Sequence, residues 1–206
     1  MNKTPAWPPF AEATVQDTSR LRYTRIAIVL HWLLAVGLMY QLTLGIWMDG
    51  VPKTPPGLRA EWFNWHKSVG LLLGLLILLR GVWRLTHARP GWPKALPCWQ
   101  QQAAGISHAL LYVCMFTMPL SGFLGSSFTQ YPIKFFGTPL PRLWQAEPDL
   151  KNLLSSVHTG TSYVFIGLIV LHVMATLWHV LRRDGVFSRI WPVAQKAGAA
   201  APETAA

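Results

Sequence analysis

Apolar residues gather in four long runs along the chain, and the stretches between them carry most of its prolines and charged side chains. The runs predict membrane-spanning helices at about 26–48, 66–87, 103–127 and 153–181. Segments of about 20 mainly apolar residues are long enough to cross a bilayer as α-helices. The expected fold class is therefore all-α, an integral membrane four-helix bundle.

The bundle is expected to form one domain at 26–182, between an N-terminal segment at 1–25 and a C-terminal tail at 183–206. The first run is too long for the core of a signal peptide and has no obvious small-residue cleavage site, so we expect an uncleaved span. The second run has a charge-free core of only 12 residues, 68–79, and its helix must continue through Arg80.

The distribution of charge sets the expected orientation in the membrane. The chain is 51% hydrophobic and 13% charged, with a net charge of +10. No basic patch is interleaved with aromatic residues outside the runs, so we expect no nucleic-acid partner. Twelve Lys and Arg residues lie on one predicted side of the membrane and six on the other. The excess marks the cytoplasmic side, which places both termini inside and the loops at 49–65 and 128–152 outside.

The cysteines narrow the cofactor chemistry. Cys98 and Cys114 form no CxxC pair, which excludes covalent c-type haem attachment and a four-cysteine iron–sulfur site. Cys114 lies within the third run and is expected to be a small apolar filler.

The fourth run holds histidines but no Asp, Glu, Lys or Arg. His158 and His172 are 14 residues apart, which on a helix means roughly 21 Å along the axis and within about 40° of one face. Two imidazoles at two depths on one face suit two haems stacked across the bilayer, each with one axial ligand from this helix. Hydrogen bonding of both histidines across helices is the alternative.

The same interval, applied to the other runs, defines an outer level that consists of His66, His158, Gly45 and Gly122. Two histidines from different helices can bind one haem iron axially. Glycines allow a porphyrin to approach helix backbones closely, as small residues do at packed membrane interfaces. We therefore predict His66 and His158 as the axial pair of an outer haem.

An inner level consists of His31, His172, His108 and Arg80. We favour His31 with His172 as the axial pair of an inner haem, and His108 as a neighbouring group near a propionate or quinone; His108 as the ligand is the alternative. Arg80 is expected either to bind a haem propionate or to extend toward the cytoplasmic headgroups.

Other uses of membrane histidines fit the pattern less well. Zinc needs its ligands in one small tetrahedron, whereas these histidines are divided between two depths. Proton and metal transporters more often carry Asp or Glu in their spans, and the predicted spans have none.

Several segments resemble the bacterial cytochrome b561 family: RYTRIAIVLHW at 22–32, HKSVG at 66–70, RGVWR at 80–84, HALLY at 108–112, PIKFFG at 132–137 and HTGTSYVFIGLIVLHVMATLWH at 158–179. The likeness covers roughly residues 22–192. It implies a four-helix protein of the bacterial inner membrane with two haems b, and the family's ligand positions match His31, His66, His158 and His172. It also implies exchange of electrons with the quinone pool, and one branch is similar to superoxide oxidase, which passes electrons from superoxide to ubiquinone.

The leading functional hypothesis is therefore that the protein, surrounded by membrane lipid, transfers electrons between the outer surface of the membrane and ubiquinone. If superoxide is the donor, Lys67 and Lys134 are candidates to attract it; ordinary solvated loop charges are the alternative. A second hypothesis is a non-catalytic electron-transfer subunit that docks a periplasmic redox partner or dehydrogenase through the loop at 128–152. A third is a transporter or assembly protein without haem.

Overall fold

Four long helices make up most of the computed structural model, which describes residues 22–55, 57–92 and 96–192. They are α1 (Arg25–Asp49), α2 (Leu58–Thr86), α3 (Cys98–Ser127) and α4 (Pro148–Arg182). Each is long and apolar enough to cross a membrane, which confirms the predicted four-helix class. Most of the predicted N-terminal segment and the end of the C-terminal tail lie outside the described residues.

The helices extend beyond the apolar runs that predicted them. α2 begins at Leu58 and α3 at Cys98, several residues before the predicted spans at 66 and 103. Hydropathy marks only the part of a helix that matches the hydrocarbon layer, while backbone hydrogen bonding continues into the polar interface. Thr24 caps α1 by accepting a hydrogen bond from the Ala27 amide at 3.3 Å, and Pro148 occupies the first turn of α4.

A single apolar cluster holds the bundle together, formed by Leu34, Leu73, Ile77, Cys114, Met115 and Phe165. Its burial of Cys114 confirms the expected role of that residue as an apolar filler. Leu73, Met115 and Phe165 each lie seven residues from the outer-level and inner-level positions of their own helices. Because seven residues span about 10 Å of helix, the cluster separates the two levels.

Helix packing is uneven around the bundle. α1 packs against α2, α2 against α3, and α3 against α4. Within the described residues, α4 does not pack closely against α1 or α2. Much of α4 carries exposed apolar side chains, as expected for a helix that faces lipid.

The loop between α3 and α4 contains a hairpin at residues 134–139, named the outer hairpin after the predicted outside position of this loop. Its strands, Lys134–Phe135 and Thr138–Pro139, pair antiparallel across a turn in which Phe136 and Gly137 have φ angles of 46° and 94°. Two successive positive φ values are typical of a type I′ turn, although Phe-Gly is an unusual sequence for it. Ser68, fully buried in α2, accepts a hydrogen bond from the Phe136 amide at 2.9 Å. The hairpin is thus attached to α2 two residues from His66.

Candidate cofactor-binding site

Two histidines face each other at the outer level. The ring centres of His66 on α2 and His158 on α4 are 6.3 Å apart, with an angle of 84° between the ring planes. Two imidazoles bound to opposite sides of one metal ion, each through a bond of about 2 Å, hold their ring centres roughly 6 Å apart. The space between these two rings therefore fits one axially ligated haem iron.

The orientation of His158 leaves one ring nitrogen for a metal. Its Nδ1 lies 2.9 Å from the Met118 carbonyl oxygen, a hydrogen bond in which the ring donates. The Ser121 hydroxyl is close to the same nitrogen at 3.3 Å and donates to the Thr117 carbonyl at 2.6 Å. Histidines that ligate a metal through one nitrogen usually donate the other N–H to such an acceptor, which fixes the ring.

The two glycines of the outer level lie against these rings. A methyl group at Gly45 would lie 3.2 Å from Cε1 of His66, and one at Gly122 would lie 3.0 Å from Cε1 of His158. Their absent side chains make room for the imidazoles. The predicted contact of Gly45 and Gly122 with a porphyrin stays a prediction.

Three histidines and an arginine meet at the inner level. His31 and His172 have ring centres 6.3 Å apart, the same separation as the outer pair. His108 is closer to His172, at 5.4 Å. Arg80 has Nη2 3.3 Å from Nδ1 of His31 and donates through Nη1 to the Ala27 carbonyl at 3.1 Å. The predicted inner-level residues are thus brought together.

The two candidate lysines differ in their surroundings. Lys67 follows His66 and is half-buried, and its side chain has no hydrogen-bond or ion-pair partner among the described residues. Lys134 is exposed at the start of the outer hairpin, and its backbone oxygen accepts a hydrogen bond from Ser68 at 3.2 Å. The hairpin therefore brings Lys134 to the same end of α2 as Lys67.

Other histidines have separate partners. His179 pairs with Asp184 just after the end of α4, and His87 stacks on Trp83 with ring centres 3.6 Å apart. Across 22–55, 57–92 and 96–192, no three His, Cys, Asp or Glu side chains are grouped to hold a metal ion directly. The facing histidine pairs instead match the two axial positions of a haem.

Sequence reasoning missed the groups that surround the histidines. Ser121 and Ser68 lie inside apolar helices, where a serine is commonly satisfied by its own backbone. Gln41, in the first run, donates through Nε2 to the His66 carbonyl oxygen at 2.6 Å. The sequence did offer one signal for Gln41, because a polar amide side chain within an apolar run indicates a hydrogen-bonding partner inside the bundle.

The chain is similar in sequence to known proteins over most of its length. The family described as prokaryotic cytochrome b561 matches residues 22–193. Cytochrome b561 homolog 2 of Escherichia coli strain K12 is 28% identical over 82% of this chain and 90% of its own length. Cytochrome b561 homolog 1 of the same strain is 25% identical over 83% of this chain and 97% of its own length. The chain belongs to the prokaryotic cytochrome b561 family, and is a multi-pass membrane electron-transfer protein that binds haem b.

Proposed function

We propose that this protein carries single electrons between a donor at the outer surface of the bacterial inner membrane and ubiquinone, by way of two haems b stacked across the bilayer. The observation that carries the proposal is the pair of equal 6.3 Å separations, His66 to His158 and His31 to His172. Haem b, when bound, supplies one-electron redox chemistry. The even number of spans and the charge distribution support cytoplasmic termini.

In this proposal His66 and His158 are the axial ligands of the outer haem, and His31 and His172 those of the inner haem. Both pairs join α4 to a helix against which it does not pack closely, so each pair borders a space between helices. The ring centres of His108 and His172 are 5.4 Å apart. This separation is shorter than the roughly 6 Å between two imidazoles bound to opposite sides of one metal ion. His108 is therefore assigned beside the inner haem rather than on its iron.

Arg80 is proposed as the partner of an inner haem propionate. A guanidinium within a span is costly without an anionic or hydrogen-bonding partner, and its donors suit a carboxylate. In the structure the guanidinium donates to the Ala27 carbonyl and has Nη2 3.3 Å from Nδ1 of His31, which places it beside the inner pair. This position favours the propionate interpretation over extension toward the headgroups.

Superoxide is the proposed electron donor. An unpaired, half-buried ammonium at Lys67, next to His66, would attract a small anion toward the outer haem, and Lys134 would add to the local positive potential. Two superoxide anions each lose one electron and become O₂. One ubiquinone takes up the two electrons with two protons and becomes ubiquinol.

The second candidate is an electron-transfer subunit without catalytic activity of its own. The outer hairpin favours it, because Phe136 is exposed at the turn while Trp65 and Ser68 hold that turn in place. A rigid, exposed aromatic is a common anchor for a protein partner. Membership in a cytochrome family favours both haem hypotheses over a transporter without haem.

The two candidates differ in what reduces the haems. Purified protein in detergent, supplied with a superoxide source and a short-chain ubiquinone, should show fast haem reduction followed by formation of one ubiquinol for every two superoxide anions that the protein oxidises. Superoxide dismutase in excess is the control and should abolish both. Haem reduction by ubiquinol alone, with no response to superoxide, would replace the oxidase with the subunit hypothesis.

A further inference from the structure

Two buried polar atoms lack a hydrogen-bond partner within the described part of the chain: Oε1 of Gln41 and Nδ1 of His66. Buried polar side-chain atoms are nearly always paired, because an unpaired one loses its hydration without compensation. One atom is an acceptor, and the other is a donor whenever its nitrogen carries the proton. The two orphaned groups are therefore chemically complementary.

The surrounding contacts bring these two side chains to one place. Nε2 of Gln41 donates to the backbone oxygen of His66 at 2.6 Å, so the amide of Gln41 lies directly against His66. The Cε1 and Nδ1 atoms of the same ring lie 3.2 and 3.8 Å from the position that a methyl group at Gly45 would take. Gly45 is four residues after Gln41, and residues four apart are neighbours on one helix face. The Nδ1 edge of the His66 ring thus faces the strip of α1 that carries Gln41.

Gly70 provides the space in which the Gln41 amide reaches α2. A methyl group at Gly70 would lie 3.1 Å from Nε2 of Gln41, closer than ordinary van der Waals contact. Gly70 is four residues after His66, so the glycine opens the helix surface beside the carbonyl that Gln41 contacts. The amide is held by its nitrogen, and its oxygen remains for another donor.

His158, the other proposed ligand of the outer haem, has the hydrogen bond at Nδ1 that His66 lacks. His158 has an acceptor for Nδ1 in the Met118 carbonyl at 2.9 Å. Metal-ligating histidines almost always donate their second N–H to a carbonyl, carboxylate or water, which fixes the ring and raises its basicity. If Nε2 of His66 binds iron, its Nδ1–H needs such an acceptor. The Gln41 oxygen is an unpaired acceptor on the strip of α1 that this edge of the ring faces, and its amide already contacts the His66 backbone.

We propose that Gln41 is a positioning residue of the outer haem, whose side-chain oxygen accepts the Nδ1–H of His66 when Nε2 of that ring binds iron. The inference rests on the proposed function, because it requires His66 to be an axial ligand. Gln41 then fixes the orientation of the His66 ring and increases its electron donation to the iron. Stronger donation stabilises the oxidised iron, so Gln41 lowers the reduction potential of the outer haem.

The test compares Gln41→Leu and Gln41→Glu by redox titration of the purified two-haem protein, with low-temperature electron paramagnetic resonance of the oxidised form. Gln41→Leu removes the acceptor, and the reduction equilibrium of the outer haem should shift toward the reduced form by about 3- to 10-fold, or about 30–60 mV upward at 59 mV per tenfold. Its low-spin resonance should move as the ring loses its fixed orientation. The inner haem should keep its potential.

Gln41→Glu separates the proposed hydrogen bond from the observed contact with the His66 carbonyl. A carboxylate cannot donate to that carbonyl but accepts from Nδ1–H more strongly than an amide, while a protonated Glu resembles Gln. The proposal therefore expects the outer potential of this variant at or below that of the wild type. A rise above the wild type would overturn the proposal, even if the Leu variant fails to fold.

Gln101→Leu is the matched control. Gln101 on α3 also donates through Nε2 to a backbone oxygen, that of Leu96, at 2.8 Å. Its replacement removes the same group and should move neither potential. An unchanged outer potential in Gln41→Leu, or an equal shift in the control, would overturn the role of Gln41 alone. Retention of two low-spin, six-coordinate haems by His66→Ala would overturn the axial assignment, and with it this inference.

Discussion

His31 on α1 and His172 on α4 face each other with ring centres 6.3 Å apart, and His66 and His158 keep the same separation at the other level. The two levels are 14 residues apart on α4, with the buried Phe165 midway between them. Helix periodicity makes this repetition possible, since 14 residues bring the chain back to nearly the same face. Because the ring centres are equally far apart in both pairs, each pair has the separation expected of two imidazoles that bind one haem iron from opposite sides.

The inner assignment is tested by replacing His31 and His108 singly with Ala. We expect His31→Ala to lose the inner haem, because removal of an axial ligand opens one coordination position. His108→Ala should keep two haems per chain, with at most a small change in the inner spectrum. The measurement is haem content per protein by the pyridine haemochrome method. Loss of haem from His108→Ala and not from His31→Ala would assign the inner iron to His108 and His172.

Arg80→Leu should weaken retention of the inner haem by roughly 10- to 100-fold. A charge-assisted hydrogen bond contributes about 1.5–3 kcal/mol, which corresponds to this range. Loss of the positive charge should also lower the inner reduction potential, since a nearby cation stabilises the added electron. Dialysis against an apo-haem acceptor and redox titration measure the two effects. Arg84→Leu, one turn further along α2, is the control, and an equal effect there would refute a specific role for Arg80.

Lys67→Gln should slow haem reduction by superoxide by about 3- to 10-fold and reduce its dependence on ionic strength. The substitution removes the positive charge nearest to His66 in sequence, and steering of a small anion depends on such charge. Stopped-flow absorbance with a pulse of superoxide measures the rate. Lys151→Gln removes a charge at the start of α4 and is the matched control. Equal rates of haem reduction in Lys67→Gln and wild type would show that Lys67 does not attract superoxide and is an ordinary solvated charge.

Gly122→Ala should disturb the outer haem without affecting the inner one. The added methyl group would lie 3.0 Å from Cε1 of His158, so the ring or the helix has to move. Overpacking of this kind costs about 1–3 kcal/mol. Haem content and the low-spin resonance of the outer haem report the change. Gly105→Ala is the control and should behave as wild type, because nothing lies within 4 Å of the added methyl group. A normal outer haem in Gly122→Ala would contradict the prediction and show that the His158 ring can move without disturbing the haem.

The number of helices and the division of the histidines between two levels could be predicted because each depends on one helix at a time. Hydropathy fixes a span, and the 14-residue interval fixes two positions on one face. Contacts between helices could not be predicted in the same way. The roles of Gln41 and Ser68 depend on which neighbour their side chains meet, and the turn at Phe136 lacks the usual Asn-Gly sequence.

Haem stoichiometry, measured together with the spin state, tests the central claim most directly. Purified protein should contain two haems b per chain, both low-spin and six-coordinate in the oxidised form, because the proposed ligand set gives each iron two histidines. His66→Ala and His172→Ala should each lower the haem count or convert one haem to a high-spin form. One haem per chain, or a high-spin haem in the wild type, would contradict two bis-histidine sites.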